Sequence, residues 1–177
     1  YNVRLKDDKQ YPYIKISFYG IEDTTASIMR IAHALGDPAV IARAEELCAS
    51  ETAKLDGLME RYRKALTGRK AAIYVGGGFK AISLIRQFRE FGMDTVMVGT
   101  QTGREEDYEV IRSLVSPGCV VLDDANPAEL EKFMLEKGAD ILVGGVKERP
   151  LAYKLGVAFC DHNHERKHPL AGFIGVK

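Results

Sequence analysis

One stretch of the chain, Ala71 to Lys80, constrains the fold more than any other. It reads AAIYVGGGFK, an apolar run that ends in three glycines and continues into an amphipathic pattern. This order is typical of a buried parallel strand that turns tightly into a helix. Glycine allows a close backbone approach, and a helix N-terminus presents free N–H groups and the positive end of a dipole. We therefore expect an anion-accepting turn here, with Lys80 adding its charge.

Strands and helices alternate along the chain after residue 68. The predicted strands are residues 71–75, 95–98, 119–122, 141–143 and 157–160. The predicted helices between them are residues 79–91, 107–114, 128–136 and 150–155. This alternation indicates βαβ units around a parallel sheet. Right-handed crossovers then predict an α/β fold with a doubly wound, Rossmann-like sheet of about five strands.

The first part of the chain follows a different pattern. Residues 11–19 alternate in polarity, which predicts a strand. A short helix follows, for which residues 23–25 are N-cap candidates. Asp37 and Pro38 then open a long helix that runs to about Leu66, with Asp as the cap and Pro in the first turn. A strand and a long helix therefore precede the predicted sheet.

The change of pattern predicts a domain boundary. We assign residues 1–68 to a connecting segment from a neighbouring domain and residues 69–177 to the Rossmann-like domain. The chain opens without methionine and ends in an apolar run. We therefore expect it to be a fragment of a longer protein.

The composition argues against some classes of partner. Basic and acidic residues number 25 each, so the formal net charge is zero, whereas proteins that bind nucleic acid or membrane surfaces usually show a basic excess. We expect neither partner, and no apolar run reaches the ~18 residues of a membrane span. The three cysteines are widely spaced and form no CxxC pair. A disulfide framework is therefore not expected, and a reducing cytoplasm fits.

Polar residues collect where the predicted strands end. The segments concerned are rich in Gly, Lys, Asp, Asn and His, and they are residues 76–80, 99–104, 123–126, 144–149 and 161–164. In a doubly wound sheet, ligands bind outside the carboxyl ends of the strands. We therefore expect the functional site at this edge.

The glycine turn also matches a dinucleotide fingerprint. Gly76, Gly78 and Ala81 have the spacing GxGxxA. The second strand of such a fold should end in an acidic residue for the ribose, and Gln101 stands near that end instead. A nucleotide-binding Rossmann module and a purely structural turn both stay open on the residues alone.

Three histidines stand close together near the end of the chain. The spacing and chemistry of His162, His164 and His168 would permit a metal, but the same loop carries Arg166 and Lys167. We predict no metal ligand among them. The chain also has no Ser-His-Asp elbow and no suitable carboxylate pair for hydrolysis, so we assign no catalytic residue.

Four stretches of the chain resemble a known family. They are residues 16–24 (ISFYGIEDT), 77–80 (GGFK) with 91–93 (FGM), 99–107, and 145–148 with 156–166. In this order and spacing they resemble the nitrogenase component 1 family. Within it they are most similar to the E-type subunits of the scaffold on which the iron–molybdenum cofactor is assembled.

The resemblance implies a fold and a role. It implies a cytoplasmic subunit of three Rossmann-like domains with a metal cluster between them, of which this chain is one part. The cluster would be an iron–sulfur cofactor precursor held in the full-length complex, with none bound by this part alone. The implied partners are an N-type scaffold subunit, in a heterotetramer, and the proteins that donate and accept the cofactor. The cluster-ligand cysteine of the family lies upstream of the first matching stretch.

The resemblance also implies six cofactor-binding positions. They are Gly77, Gly78, Lys80, Gln101, Lys147 and Asn163. Lys80 stands where catalytic subunits carry an Arg against the cofactor, and Asn163 stands where they carry the His that ligates molybdenum. An amide is a poor substitute for imidazole as a transition-metal ligand. These departures favour a scaffold over the alternative, an α-type subunit of a catalytic nitrogenase.

Overall fold

The computed structural model describes residues 13–162 and 171–176. The helices are α1 (Gly20–Leu35), α2 (Pro38–Leu66), α3 (Gly78–Glu90), α4 (Glu105–Leu114), α5 (Pro127–Lys137) and α6 (Arg149–Leu155). The strands are β1 (Lys70–Val75), β2 (Asp94–Thr100), β3 (Val120–Asp123), β4 (Ile141–Gly144) and β5 (Ala158–Asp161). A short 3₁₀ helix, Phe173–Val176, follows. Three of the positions singled out from the sequence, Asn163, His164 and His168, lie outside the described residues.

The five strands form one parallel sheet in the order β3-β2-β1-β4-β5. The chain builds outward from β1 to β3, then returns to place β4 on the other side of β1. The strand order therefore reverses between β1 and β4, and their carboxyl ends flank the crevice where doubly wound sheets bind ligands. The predicted Rossmann-like α/β fold is confirmed.

Apolar side chains cover both faces of the sheet. Ile73 and Val75 pack against helices α3 and α4 on one face, while Ala72 and Tyr74 pack against α5 and α6 on the other. Every residue of β1 after Lys70 is buried, as expected for the central strand of a parallel sheet. Burying one large apolar side chain contributes about 1.5–3 kcal/mol, so these two layers stabilise the sheet.

The predicted strand at residues 11–19 is wrong for the part that the structure describes. Residues 13–18 join no sheet, because their backbone groups bind other partners. The Ser17 N–H donates to Ser27 Oγ at 2.9 Å, and Ser27 Oγ donates to the Ser17 carbonyl at 2.6 Å. The Phe18 carbonyl accepts from the Gly172 N–H at 2.7 Å. Alternating polarity here marks an extended segment that lies against a helix.

Helix α1 begins earlier than predicted. The candidate caps at residues 23–25 lie inside the helix, which starts at Gly20 with φ 75°. Its first N–H groups are bound by a distant side chain, since Glu90 accepts from Ile21 N–H at 2.9 Å and from Glu22 N–H at 2.8 Å. A carboxylate suits this position because it faces the positive end of the helix dipole.

Helix α2 follows the prediction closely. Asp37 Oδ1 accepts from the Ala39 N–H at 2.8 Å and Pro38 occupies the first turn. The helix has 29 residues, and only Ala44, Cys48, Leu55 and Met59 are buried. Leu55 and Met59 pack with Val176 of the 3₁₀ helix in a third, smaller apolar cluster. Within residues 13–162 and 171–176, no helix is long and apolar enough to cross a membrane.

Candidate functional site

The turn after β1 brings bare backbone to the carboxyl edge of the sheet. A Cβ at Gly78 would lie 2.7 Å from the Asp107 Cγ, so glycine is needed there for α3 to pack against α4. A Cβ at Gly76 or Gly77 would meet nothing within 4 Å, and Gly77 has an ordinary extended backbone with φ −130°. The packing of the described residues therefore does not require glycine at these two positions, which leave room for a closely approaching group.

Helix α3 starts without a local cap. Gly77 holds the N-cap position and has no side chain with which to accept from the first N–H groups, unlike Asp37 at the start of α2. Uncapped N–H groups and the helix dipole make such a terminus a good place for an anion. Gly77 and Gly78, both predicted as binding residues, therefore form the start of this helix.

Lys80 projects from the first turn of α3 and is half-buried. Its Nζ donates to the His162 carbonyl at 3.2 Å and lies 5.9 Å from the centroid of the Tyr19 ring. Burial lowers the pKa of Lys80, and the Asp161 carboxylate partly opposes this effect. The ammonium group is therefore held where α3, the end of β5 and the segment before α1 meet.

A partly buried ion pair lies beside Lys80. Asp161, the last residue of β5, has a side chain that is 3% exposed, and its Oδ2 lies 3.1 Å from Arg149 Nη2. The Arg149 guanidinium also lies 5.5 Å from the centroid of the Phe159 ring. The sequence marks this segment as polar but gives no signal of the pairing, because the partners come from different elements.

Gln101 and Lys147 lie together in a second part of the edge. They line a cavity of about 200 Å³, together with Tyr74, Asp124 and Glu148. The Tyr74 hydroxyl donates to the Ala125 carbonyl at 2.8 Å. Burial raises the pKa of Tyr74, and a hydrogen bond with Gln101 partly offsets the rise. Lys147 itself is exposed.

Glu148 organises the turn that carries Lys147. Its Oε2 accepts from the Gly145 N–H at 2.7 Å. A Cβ at Gly144 would lie 2.9 Å from the Glu148 Cβ, so a glycine at the end of β4 makes room for this contact. In the sequence, residues 144–149 stand out as a polar segment at the end of a strand, and the structure adds that Glu148 binds this turn internally.

A set of polar contacts fixes the loop between β2 and α4, which carries Gln101. The Thr102 N–H donates to the Gly76 carbonyl at 2.9 Å, and the Thr102 hydroxyl donates to the same carbonyl. Behind the loop, the buried Tyr108 hydroxyl donates to Asp123 Oδ1 at 2.6 Å and lies 2.7 Å from Thr100 Oγ1. Sequence reasoning missed these contacts, because nothing in the pattern joins β2, α4 and β3.

The predicted site residues therefore fall into two groups at one edge of the sheet. Gly77, Gly78 and Lys80 form the start of α3, whereas Gln101 and Lys147 line the cavity beside Tyr74. Lys80 is not among the residues that line this cavity. The sixth predicted residue, Asn163, lies beyond the described part of the chain.

The thiols are dispersed. Cys48 is buried in α2 and Cys160 is exposed, while burial raises the pKa of Cys119 to about 11. Among residues 13–162 and 171–176, no group of three or more His, Cys, Asp or Glu side chains is placed to hold a metal ion. This edge provides N–H donors and ammonium groups, which suit an anion. It also carries carboxylates, of which Asp161 pairs with Arg149 and Glu148 accepts from the Gly145 N–H.

Comparison with curated proteins identifies close relatives. The nitrogenase iron-molybdenum cofactor biosynthesis protein NifE of Clostridium pasteurianum is 63% identical over 164 residues, which cover 93% of this chain and 36% of that protein. The protein of the same name from Methanosarcina barkeri is 47% identical over 164 residues, covering 93% of this chain and 35% of that protein. The chain thus spans about a third of the length of these relatives.

Solved structures and a family model agree with these relatives. The structure "Nitrogenase Cp1 at pH 5" superposes with a TM-score of 0.76 at 26% identity, over 92% of this chain and 39% of that chain. "Nitrogenase Cp1 at pH 6.5" gives a TM-score of 0.77 at 22% identity, which shows the shared fold alone. The family model for nitrogenase component 1 type oxidoreductases matches residues 2–177. The resemblance seen in the sequence is confirmed, and the chain belongs to the nitrogenase component 1 type oxidoreductase family.

Proposed function

We propose that this chain is part of a cofactor-assembly scaffold subunit and lines a pocket for an iron–sulfur cofactor precursor. The observation that carries the proposal is the start of α3. There, three features come together: Gly76 and Gly77, where a Cβ would meet nothing within 4 Å, an uncapped helix terminus, and the half-buried ammonium group of Lys80. Relatives that carry the name of a cofactor biosynthesis protein, at up to 63% identity, support the same role.

The chemistry of this edge suits such a cargo. An iron–sulfur precursor carries net negative charge, and backbone N–H groups, a helix dipole and lysine ammonium groups stabilise an anion. Charge-assisted hydrogen bonds are stronger than neutral ones, and they form without a bond to the metal. A scaffold must later pass its cargo on, so contacts of this reversible kind fit the role.

We assign different tasks to the two groups of residues. Gly77 and Lys80 contact the cargo closely, because a Cβ at Gly77 would meet nothing within 4 Å and Lys80 is already partly dehydrated. Gly78 stays a predicted binding position through its backbone N–H, while its lack of a side chain serves the packing against Asp107. Gln101 and Lys147 bind the periphery of the cargo from the cavity beside Tyr74. Asn163 stays a predicted cofactor-binding position, at the place where catalytic subunits carry the His that ligates molybdenum.

The remaining parts of the proposal concern the longer protein. We infer that residues 1–68 connect a neighbouring domain to a Rossmann-like domain of residues 69–177. We further infer that the full-length subunit works with an N-type subunit in a heterotetramer, and with proteins that donate and accept the cofactor. The length of the relatives, of which this chain covers about a third, supports a longer subunit.

The test is iron retention by variants of the full-length subunit, purified without oxygen together with its partner. Lys80→Ala and Lys147→Ala should each lower the bound iron, with the larger loss at Lys80. Lys154→Ala is the matched control, because Lys154 is an exposed lysine of α6 that pairs with Glu131 at 2.7 Å. Iron content equal to that of the parent in both test variants would remove these lysines from the site.

A further inference from the structure

Helix α1 is held on the Rossmann-like sheet by polar contacts with α3. Three buried residues of its face are polar, namely Asp23, Thr24 and Ser27. Asp23 Oδ1 lies 2.8 Å from Arg86 Nη1, and Glu22 Oε2 lies 2.9 Å from Arg89 Nη2. An interface made of ion pairs and hydrogen bonds fixes position and register more tightly than one made of apolar contacts alone.

Glu90 provides the contact that defines where α1 begins. Its carboxylate accepts from two backbone N–H groups, those of Ile21 and Glu22, although it lies about 70 residues further along the chain. Gly20 has φ 75°, a backbone conformation that favours glycine, and a Cβ there would lie 2.7 Å from Glu90 Oε1. Arg63 Nε binds the Glu90 backbone carbonyl at 2.7 Å and fixes the end of α3 from the other side.

Tyr19 immediately precedes the N-terminus of α1, which Glu90 anchors, and it lies along α3. Its ring, together with Leu84 and Phe88, lines a small and largely apolar cavity of about 130 Å³. The same ring lies 5.9 Å from Lys80 Nζ. Tyr19 is thus joined to Glu90 through two peptide units and to Lys80 through its ring. A displacement of the α1 terminus would move the ring and expose the ammonium group to water.

We propose that Glu90 is a positioning residue for Lys80. It acts through the N-terminus of α1 and the ring of Tyr19, which it holds against the lysine at the start of α3. The consequence for cargo binding rests on the function proposed above. The coupling between Glu90 and Lys80 does not, because it concerns only contacts within this chain.

The experiment is competitive labelling of lysine amines with acetic anhydride across pH, read by mass spectrometry on the full-length subunit in its complex. The midpoint of each pH profile reports the apparent pKa of that lysine. In the parent protein, burial lowers the pKa of Lys80 from its ordinary value of 10.5. In Glu90→Gln the midpoint for Lys80 should move back toward that value, while the midpoint for Lys154 on α6 stays unchanged.

Two further variants separate the steps. Tyr19→Leu removes the ring, which both covers and attracts the ammonium group, but keeps the anchor. The Lys80 midpoint should therefore change while hydrogen exchange at the first turn of α1 stays slow. Glu60→Gln is the matched control, since its carboxylate is 70% exposed and pairs with Lys64 within α2, away from α1 and α3. This control should change neither the Lys80 midpoint nor the hydrogen exchange at the first turn of α1. Where Glu90→Gln does not fold, Glu90→Asp keeps the charge, shortens the reach and should shift Lys80 in the same direction.

The proposal is overturned by an unchanged Lys80 midpoint in a folded Glu90 variant whose α1 terminus exchanges faster. It is also overturned by an unchanged midpoint in Tyr19→Leu. Iron content, measured on the same samples, separates this inference from the proposed function. A shifted Lys80 midpoint with full iron retention would support the positioning role of Glu90 and contradict the role of Lys80 in holding cargo.

Discussion

The sheet and the contact between α1 and α3 are built from opposite kinds of side chain. The sheet is buried by apolar residues such as Ile73, Ile111 and Leu142, each 0% exposed. The contact between α1 and α3 depends on ion pairs and on a carboxylate that caps a distant helix. Apolar burial gives stability with little directional preference, whereas polar contacts demand one geometry. We infer that apolar burial in the sheet supplies most of the free energy of folding, whereas the polar contact determines where α1 lies on α3.

The largest expected effect comes from the apolar region. Ile111→Ala should lower the free energy of unfolding by about 2–5 kcal/mol, because it leaves a cavity where α4 packs on the sheet. Urea unfolding of the full-length subunit, followed by hydrogen exchange of β1 and β2, measures this loss. A loss well below 1 kcal/mol would mean that the core can collapse to fill the cavity.

A smaller effect is expected from the polar contact. Arg86→Met should cost about 1–3 kcal/mol, because it leaves the carboxylate of Asp23, 5% exposed, without its cation. The double variant Asp23→Leu with Arg86→Met should recover most of this loss, since two apolar residues can replace a buried pair without a desolvation penalty. Protection of the α1 amides from hydrogen exchange measures the loss in the single variant and the recovery in the double variant. A double variant as unstable as the single one would contradict the view that this pair serves position.

Glu90, in the contact between α1 and α3, and Asp140, beside β1, should contribute to the pH dependence of stability with opposite signs. Burial raises the pKa of Glu90, while backbone N–H bonds from Ile21 and Glu22 oppose the rise. The folded state then binds this proton more readily than the unfolded state, so stability falls as pH rises from the ordinary value of 4.5 through the raised pKa.

Asp140 behaves in the opposite way. Its backbone hydrogen bond from Lys70, with help from Arg69, lowers its pKa below 3.8, so its contribution is present above that pH and is lost as pH falls through the lowered pKa. The free energy of unfolding of Glu90→Gln and of Asp140→Asn, measured against pH, gives the contribution of each carboxylate. Glu90→Gln should flatten the slope above pH 4.5, and an unchanged slope would contradict the burial of this carboxylate.

The smallest effect on folding is expected at Gly77. Gly77→Ala should change the free energy of unfolding by less than about 0.5 kcal/mol, because a Cβ there meets nothing within 4 Å. It should nevertheless lower iron retention, since the methyl group would occupy the space left for cargo. Gly78→Ala provides the contrast, because its Cβ would clash with Asp107 and destabilise the start of α3. Full iron retention in Gly77→Ala would show that the open space is not used.

The contrast between the apolar sheet and the polar contact of α1 with α3 also explains how much of the fold could be predicted from the sequence. The strands, the helices after residue 68 and the glycine turn follow from local apolar periods and breakers, so the fold and the place of Lys80 were within reach. The strand predicted at residues 11–19 was wrong for the described residues 13–19, and the caps predicted at 23–25 were wrong. The true partners of these segments, Ser27 and Glu90, are side chains that no local pattern connects to them.

The residues of the candidate site also divide into those that local sequence indicates and those that depend on contacts between distant elements. Lys80 and Gly77 could be singled out because they follow a buried strand, and Gln101 and Lys147 were added by the resemblance. Tyr74 and Glu148, which shape the cavity that Gln101 and Lys147 line, were missed. Tyr74 resembles an ordinary core residue of β1 in the sequence, and the role of Glu148 depends on a contact with the Gly145 backbone.

The measurement that tests the central claim most directly is the metal content of the full-length subunit, purified without oxygen with its partner. We predict iron and sulfide with little or variable molybdenum or vanadium, as expected for a scaffold that carries a cofactor precursor. A stoichiometric heterometal together with acetylene reduction would instead place the protein among the catalytic subunits. A preparation with no iron at all would contradict the account and favour a nucleotide-binding module.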